Sequence, residues 1–565
     1  MLKVIQKSSF HILLLSCFVL ACAKKKEVVA PAEISKKIQE LARLGSVTGL
    51  QLAYFDEESD YQINTGFAHN SDSTEVADDT QFQAASLSKQ ATAILTLKLA
   101  EEGIVDLNQP IAEIYQSPRL KEDPFYFKLT ISQLLTHTSG LPNWSDDLKL
   151  HFVPGTKWQY SGEGYQLIAK ILEKQTQKSF EQLCQERIFQ PLGMNNTSFD
   201  QSTAKNFVTG HSESEVPVVR PNLKINAAAS MITTASDYSK LMQAALLGDF
   251  LNPESQALLT EQAIDILNWE DQPTGCGWTH GMGIEATETI KVVWQWGDNN
   301  YHRGLTMIDL TNKKGLVYLT NSQNGLSIAT EIKGIFFNND VSFIKWLEYT
   351  PYNDSKHQLT IALKKAYYWK RKEEASLTYD KNESEISDDI FNNVVWSFFY
   401  TRDLTPAKNF IDKHLESKPS SAAGWARNGE ALAFSHEYQA AWQSYQEAME
   451  LDPELSKTIL PRFPWYRDAM MGIQKNEKPM ELKRYAGKYQ TVSIDVVKGE
   501  LRYSDEENKN VPLHPLSQDL FDMTNLETFR IKFQIENDRI VGLEKSYLTG
   551  EREVFELGEV TSNSL

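Results

Sequence analysis

Hydrophobic residues along the chain follow different periods in different segments, and each period predicts its own kind of element. Near the start and again after residue 289, short runs of β-branched and aromatic residues are bounded by Gly, Asn and Asp, which is typical of strands. The predicted strands are 47–55, 60–67, 289–296, 304–310 and 315–320. A largely apolar helix is predicted over 90–102, with Gly103 where a left-handed cap is wanted. A shorter helix, over 326–337, is predicted after the last of these strands.

The order of these elements predicts the fold of residues 36–345. Early strands, a helical middle and late strands indicate one antiparallel sheet that is closed by both ends of the segment. The helices between them form an inserted lobe. The predicted fold class is therefore α/β in the α+β sense, an antiparallel sheet flanked by helices plus an all-helical lobe.

The rest of the chain has a different pattern. Residues 346–384 are predicted to be a linker or helical, and 385–475 to be amphipathic helices. Small and aromatic residues there recur in the pattern of a tetratricopeptide repeat, whose period is about 34 residues. The positions in phase are Trp425, Gly429, Ala441, Tyr445, Ala448 and Pro453. Two interpretations stay open, a small bundle that braces its neighbours or a groove for a protein or peptide partner. Short alternating runs over 476–565 predict a small β-rich domain, a sandwich or half-barrel.

Charge and cysteine content narrow the class of protein. The chain has 565 residues, 41% of them hydrophobic, and a formal net charge of -18. An acidic chain lacks the basic face that nucleic-acid binding requires, so no nucleic-acid partner is expected. Cys184 and Cys276 lie among apolar or aromatic neighbours and are predicted to be buried thiols. Together with Cys17 and Cys22 they form neither a disulfide framework nor a metal-ligand spacing.

The N-terminus has the pattern of an export signal. Lys3 and Lys7 precede an apolar run over 12–20 that is too short to span a bilayer. The residues 19–22, Val-Leu-Ala-Cys, resemble a bacterial lipobox, which implies cleavage before Cys22 and attachment of lipid to that cysteine. We therefore expect a lipoprotein signal peptide over 1–21 and a tether over 22–35. The protein is expected to be exported and held on the periplasmic or outer-membrane side by its lipid alone. The alternative is an ordinary secretory signal with an incidental Cys22.

Candidate chemistry is concentrated at Ser86 and Lys89. A serine hydroxyl is a weak nucleophile unless a base lies within hydrogen-bond reach, and positions three apart on a helix are neighbours. At the first turn of the predicted apolar helix, the Lys89 amine is expected beside the Ser86 hydroxyl, and apolar neighbours disfavour its ammonium form. The helix start also offers the Ser86 N–H to a developing oxyanion. Taken alone, Ser-x-x-Lys also fits a capping serine followed by a solvated lysine.

The surrounding residues resemble a known family. Residues 84–89, Ala-Ala-Ser-Leu-Ser-Lys, look like the first motif of class C β-lactamases, DD-peptidases and related esterases. Residues 129–142 resemble a signature of the same family, and the resemblance implies a structural role for His137 within it. Residues 154–165 match the frame of the second motif, which implies that Tyr160 relays a proton between Ser86, Lys89 and the leaving group. The resemblance continues through 226–238, where Asp237 is interpreted as a helix cap, and through 315–325.

Two positions depart from the family pattern on the side that recognises substrate. Gly162 stands where the second motif usually has asparagine, which puts amide and β-lactam turnover in doubt. The third motif has two candidate positions, since His302-Arg303-Gly304 fits it literally. The layout of the following turn favours Gln295, Trp296 and Gly297 instead, with Gln295 replacing the usual cation. The Asp298 N–H is then expected to complete an oxyanion hole with the N–H of Ser86.

The resemblance implies a serine hydrolase that acts through an acyl-enzyme and needs no metal or cofactor. Its small-molecule or peptide substrate is an ester, a D-amino-acid peptide or a β-lactam. The two departures favour an esterase or a D-Ala-D-Ala carboxypeptidase-like enzyme over a β-lactamase. The alternative is a catalytically weak or inactive penicillin-binding-like protein that holds peptides or cell-wall fragments.

Overall fold

A computed structural model describes residues 30–145, 148–219, 222–267, 272–338, 340–400, 404–462, 481–505, 509–523, 529–547 and 552–558. The predicted signal peptide and Cys22 lie outside these ranges. Within them, no helix combines the length and the apolar character needed to cross a bilayer. Cys184 and Cys276 are both free and buried, as predicted.

The first domain is built on a nine-stranded antiparallel sheet in the order β3-β2-β1-β13-β12-β11-β10-β9-β8. Its first long strand pairs with its last, Leu50 opposite Thr320 and Phe55 opposite Gly315. This confirms the prediction of a sheet closed by both ends of the segment. The strands of this domain, including two short ribbons outside the large sheet, are β1 (Gly49–Phe55), β2 (Asp60–His69), β3 (Thr74–Glu75), β4 (Phe82–Gln83), β5 (Gly210–His211), β6 (Pro217–Val218), β7 (Ile232–Thr233), β8 (Ile264–Leu267), β9 (Pro273–Trp278), β10 (Gly283–Ala286), β11 (Lys291–Asp298), β12 (Arg303–Asp309) and β13 (Lys314–Thr320).

Helices cover both faces of this sheet and give the domain two hydrophobic cores. The helices of this domain are α1 (Ala32–Leu44), α2 (Ser88–Glu101), α3 (Ile131–Leu135), α4 (Gly162–Thr176), α5 (Phe180–Cys184), α6 (Ala235–Leu246), α7 (Pro253–Thr260), α8 (Ala329–Phe336) and α9 (Phe343–Trp346). The predicted apolar helix is α2, which is buried on nearly every side. Its two threonines are accommodated because the hydroxyls of Thr92 and Thr96 donate to carbonyls one turn earlier, at 3.1 and 2.7 Å. Gly103 has φ +69°, the left-handed conformation predicted for it.

The cap of α6 differs from the expectation. Thr234 caps the helix, since its hydroxyl accepts from the Asp237 N–H at 3.1 Å. Asp237 lies inside the first turn, where its carboxylate accepts from the Asn196 N–H at 2.8 Å and pairs with Lys240 at 2.7 Å. The acid therefore ties two segments together near the positive end of the helix, which is a structural role of another kind.

Residues after the first domain form a helical segment. The helices are α10 (Ser355–Trp369), α11 (Lys372–Asn382), α12 (Asp388–Tyr400), α13 (Leu404–Ser417), α14 (Ala422–Phe434), α15 (Tyr438–Leu451) and α16 (Ser456–Ile459). Helices α10 and α11 together account for most of 355–382, so this part of the predicted linker is helical. Both pack in one core with α12 and α13. Lys364 of α10 is buried and forms an ion pair with Glu213 of the first domain.

The C-terminal residues form an eight-stranded antiparallel sheet in which each strand pairs with the next. The strands are β14 (Gly487–Tyr489), β15 (Val492–Val497), β16 (Glu500–Ser504), β17 (Val511–Pro515), β18 (Leu520–Met523), β19 (Phe529–Glu536), β20 (Arg539–Tyr547) and β21 (Arg552–Glu556). A bridge between Tyr489 and Leu557 joins the first strand to the end of the last, and the Gly558 N–H donates to Lys488 O at 2.9 Å. The sheet therefore closes into a small barrel, whereas the sequence predicted a sandwich or half-barrel.

Candidate active site

Ser86 lies in a tight turn that precedes the apolar helix. The residues 85–87 form a 3₁₀ turn directly before α2, so Ser86 lies two residues before the helix at whose first turn the sequence placed it. Ala85 has φ +49°, an uncommon conformation for a residue with a side chain. Ribbon β4–β7 holds the approach to this turn, and the Ala84 N–H donates to Met231 O at 2.8 Å. Ser86 remains partly exposed while its neighbours are buried.

Lys89 lies against Ser86, as predicted. Its Nζ is 3.0 Å from Ser86 Oγ and 3.1 Å from Ala228 O, and the side chain is fully buried. Burial penalises the ammonium form and lowers the pKa of Lys89 to about 7. A substantial fraction of this amine is therefore neutral near neutral pH, and a neutral amine can accept the proton of a neighbouring hydroxyl.

Tyr160 completes the group around Ser86. Lys89 Nζ lies 4.7 Å from the centre of its ring, and its hydroxyl accepts a hydrogen bond from Gln295 Nε2 at 3.0 Å. Burial raises the pKa of the Tyr160 phenol, and hydrogen bonds from Ser86 and Gln295 oppose that rise only in part. The phenol is therefore neutral at ordinary pH and carries a proton that it can pass on.

His137 lies behind Tyr160. The Ser161 N–H donates to its Nδ1 at 3.1 Å and the Gln159 N–H to its carbonyl at 2.8 Å. Its ring packs 4.5 Å from the Tyr160 ring. Burial, and secondarily the charge of Lys89, holds the pKa of His137 well below its usual range. The neutral ring fixes the segment that carries Tyr160, which is a positioning role.

Strand β11 brings the third motif to the turn that carries Ser86. A Cβ added to Gly297 would lie 2.5 Å from Ala84 O, so only glycine permits this approach. β10 begins at Gly283, which pairs with Trp294, so the residues of β11 after Trp294 have no partner on that side in the described part of the sheet. Just beyond the strand, the Asn299 N–H donates to His302 O at 3.0 Å. In an antiparallel pair, successive N–H groups of a strand point alternately towards the partner strand and away from it. Because the Asn299 N–H points towards His302, the Asp298 N–H points away from β12, to the open edge of β11.

Gln295 is at the site and His302 lies apart from it. Besides its bond to Tyr160, the fully buried Gln295 amide donates to Trp296 O at 3.1 Å. His302 stacks on Phe207 at 5.9 Å and lines a neighbouring cavity of about 470 Å³. The geometry thus brings Gln295, and not His302, to Ser86 and Tyr160.

One residue near the site escaped the sequence analysis. Trp144 lies over Gly162, and a Cβ added to that glycine would be 2.4 Å from two atoms of the indole. Trp144 follows Pro142 at the end of the family signature, but no spacing rule marks it. The one sequence feature that could have indicated Trp144 is Gly162 itself, since the side chain missing there leaves space for a side chain from elsewhere in the chain.

Comparisons with known proteins follow the same segment. The family model described as Beta-lactamase matches residues 34–333, more than half of the chain. The chain belongs to the beta-lactamase family. Among the described residues, no three or more His, Cys, Asp or Glu side chains lie together in a way that could hold a metal ion.

Individual relatives of this beta-lactamase family member are distant. Penicillin-binding protein 4 of Amycolatopsis lactamdurans is 26% identical over 42% of this chain and 71% of its own length. The beta-lactamase of Escherichia coli K12 is 25% identical over 46% and 74%. Protein flp of Staphylococcus aureus MW2 is 28% identical over 31% of this chain, and the match spans only 41% of its length. Among solved structures, a class C beta-lactamase is 19% identical with a TM-score of 0.46, over 54% of this chain and 96% of the other.

Family membership supports a serine hydrolase in general. It extends to the first domain only, because the matched residues end before the helical segment and the barrel begin. The substrate is a separate question, and it depends on the side chains around Ser86.

Proposed function

We propose that this protein hydrolyses uncharged carboxylic esters through an acyl-enzyme on Ser86. The observation that carries the proposal is the contact of Ser86 Oγ with a buried amine of lowered pKa, 3.0 Å away, in a site where Gln295 replaces a cation. A buried neutral amine suits proton abstraction, and the neutral amide of Gln295 gives no charge-assisted bond to a substrate carboxylate.

The acylation step uses three side chains and two backbone groups. Lys89, as a neutral amine, takes the hydroxyl proton while Ser86 Oγ bonds to the ester carbonyl carbon. The N–H groups of Ser86 and Asp298 stabilise the oxyanion. As the tetrahedral intermediate collapses, the bond to the alkoxy group breaks, and the proton held by Lys89 reaches the leaving oxygen through Tyr160.

In deacylation, water is the nucleophile and Ser86 Oγ is the leaving group. A water gives one proton to Lys89, by way of Tyr160, and its oxygen bonds to the acyl carbon. The bond to Ser86 Oγ then breaks, that oxygen regains its proton, and the carboxylic acid leaves. No redox partner or cofactor enters the balance.

The test replaces Ser86 with alanine. Ser86→Ala should remove ester turnover by about 10⁴-fold or more, because the nucleophile is lost, while thermal unfolding stays unchanged. Ser202→Ala, which alters an exposed serine on the turn Gln201–Thr203, is the matched control. A fluorophosphonate probe should label the wild type and Ser202→Ala but not Ser86→Ala. Wild-type turnover by Ser86→Ala would overturn the assignment, and binding of esters without turnover by the wild type would favour the penicillin-binding-like alternative.

The other parts of the chain have proposed roles of their own. We propose that Cys22 carries a lipid and that the folded domains lie outside the cytoplasmic membrane. For α14 and α15 we propose a bracing role. Leu516 and Leu520 of the barrel pack in one cluster with Tyr438 and Tyr445 of α15, which supports bracing over a free peptide groove.

A further inference from the structure

A side chain at position 162 and the indole of Trp144 cannot occupy the same space. Two carbon atoms of the indole, Cη2 and Cζ2, lie 2.4 Å from where a Cβ on Gly162 would be. Carbon atoms that are not bonded to one another do not approach this closely. With the indole in place, residue 162 can carry no side chain, and Trp144 fills the space that a side chain two residues after Tyr160 would occupy.

The backbone that carries Trp144 is held on both sides. Asn143 accepts hydrogen bonds from the Gly162 N–H, at 2.9 Å to Oδ1 and 3.1 Å to its carbonyl, and from the Glu163 N–H at 3.1 Å. After Trp144, the Ser145 carbonyl accepts from Arg119, which also pairs with Glu163 at 3.0 Å. Both neighbours of Trp144 are thus tied to the first turn of α4.

The indole of Trp144 can bind a substrate only if solvent reaches it, and it does. Trp144 is 49% exposed, whereas most large aromatic side chains of the first domain are buried. A rigid, half-exposed aromatic ring loses little conformational entropy when it binds a flat apolar group. Trp296, which is also partly exposed, packs 4.9 Å from the ring of Tyr160. The indole of Trp296 therefore flanks Tyr160, and the indole of Trp144 lies over Gly162, two residues further along the chain.

Two polar side chains that could otherwise bind substrate, Asp298 and Gln295, already contact other protein groups. Asp298, at the end of β11, pairs with Arg303 at 3.1 Å and accepts from the Tyr349 hydroxyl at 2.7 Å. Gln295 spends its amide hydrogens on Tyr160 and Trp296. The amide hydrogens of Gln295 and the carboxylate of Asp298 are thus engaged with other protein groups, while the Trp144 side chain is half-exposed.

We infer that Trp144 is a specificity-determining residue that binds a planar apolar group of the substrate. This inference rests on the proposed function and deepens it, since the substrate class becomes uncharged esters that carry an aryl group near the reacting carbonyl. Gly162 then contributes to substrate recognition indirectly, because its lack of a side chain leaves room for the indole of Trp144.

The test compares matched pairs of esters. Ethyl acetate with ethyl phenylacetate varies the acyl side, and ethyl acetate with benzyl acetate varies the alkoxy side. In Trp144→Ala, kcat/KM for at least one aryl ester should fall about tenfold relative to ethyl acetate, because a stacking contact is lost. The pair that responds identifies the side of the ester that stacks. Phe127→Ala, which removes an aromatic side chain that is 57% exposed elsewhere, should change neither ratio.

A double-mutant cycle tests the exclusion directly. Gly162→Asn alone should displace the indole and lower the aryl preference as Trp144→Ala does, whereas adding Gly162→Asn to Trp144→Ala should change it little further. Equal changes for all three esters in Trp144→Ala, or additive effects of the two substitutions, would overturn the inference. Labelling of each variant by a fluorophosphonate separates the outcomes: labelled protein without aryl selectivity contradicts the role of Trp144, and unlabelled wild type contradicts the proposed function.

Discussion

The lowered pKa of Lys89 makes a quantitative prediction about pH. If Lys89 is the base, the rate of attack by Ser86 follows the neutral fraction of its amine. With a pKa of about 7, that fraction is roughly a tenth at about pH 6 and nine tenths at about pH 8, a rise of about tenfold followed by a plateau. A solvated lysine with its pKa near 10.5 gives about a hundredfold rise over the same interval and no plateau below about pH 10.

The assay is the second-order rate of Ser86 labelling by a fluorophosphonate, measured alongside kcat/KM for a neutral ester. Both report the free enzyme, and neither substrate titrates in this range. Burial raises the pKa of Tyr160, so the phenol should add no falling limb between about pH 6 and 9. Lys89→Met, similar in length and without the amine, should label slowly at every pH.

Two results would refute this reasoning. A rate that still climbs tenfold per pH unit above about pH 8 would mean that the amine is charged and solvated. A midpoint near 7 that persists in Lys89→Met would assign the titration to another group. His137 does not supply such a midpoint, because burial holds its pKa well below the ordinary range.

Two further substitutions test the third motif and the N-terminus. Gln295→Lys should raise kcat/KM for substrates that carry a carboxylate by about tenfold or more relative to neutral esters, since a charge-assisted bond is restored. His302→Lys is its control, and loss of activity in His302 variants alone, with Gln295 variants unchanged, would move the motif to His302. Cys22→Ser should shift the protein from the detergent phase to the aqueous phase, and unchanged partitioning would contradict the lipid anchor.

Local patterns in the sequence were sufficient for the long strands of the first domain. The strand predicted over 289–296 is observed as Lys291–Asp298, and 304–310 as Arg303–Asp309. These strands lie in the middle of the sheet, where burial of β-branched and aromatic side chains dominates the choice of structure. The pair of Ser86 and Lys89 was equally predictable, because a spacing of three fixes the neighbourhood within a single turn.

Features that depend on distant contacts were not predictable in this way. Closure of the barrel depends on Tyr489 meeting Leu557 across most of the domain. The cover of Gly162 by Trp144 depends on how 143–145 is tied to α4. Ala85 adopts a left-handed φ in the turn between β4 and α2, a conformation that alanine alone disfavours. In each case tertiary structure selects a conformation that local sequence does not specify.

Burial alone lowers the pKa of Lys89 in this protein, and a cation at position 295 in place of the neutral Gln295 should lower it further. Gln295 Nε2 is 3.0 Å from the Tyr160 hydroxyl, and Lys89 Nζ is 4.7 Å from the centre of the same ring. An ammonium at 295 would thus act on Lys89 across one phenol, and like charges at such separations interact by about 2 kcal/mol at an effective dielectric constant of about 20. That repulsion lowers a pKa by between about one and two units. Gln295→Lys should therefore move the midpoint of the labelling profile from about 7 to below about 6. His302→Lys, whose ammonium would lie at the cavity beside Phe207, should leave the midpoint in place, and an unmoved midpoint in Gln295→Lys would show that residue 295 does not face this base.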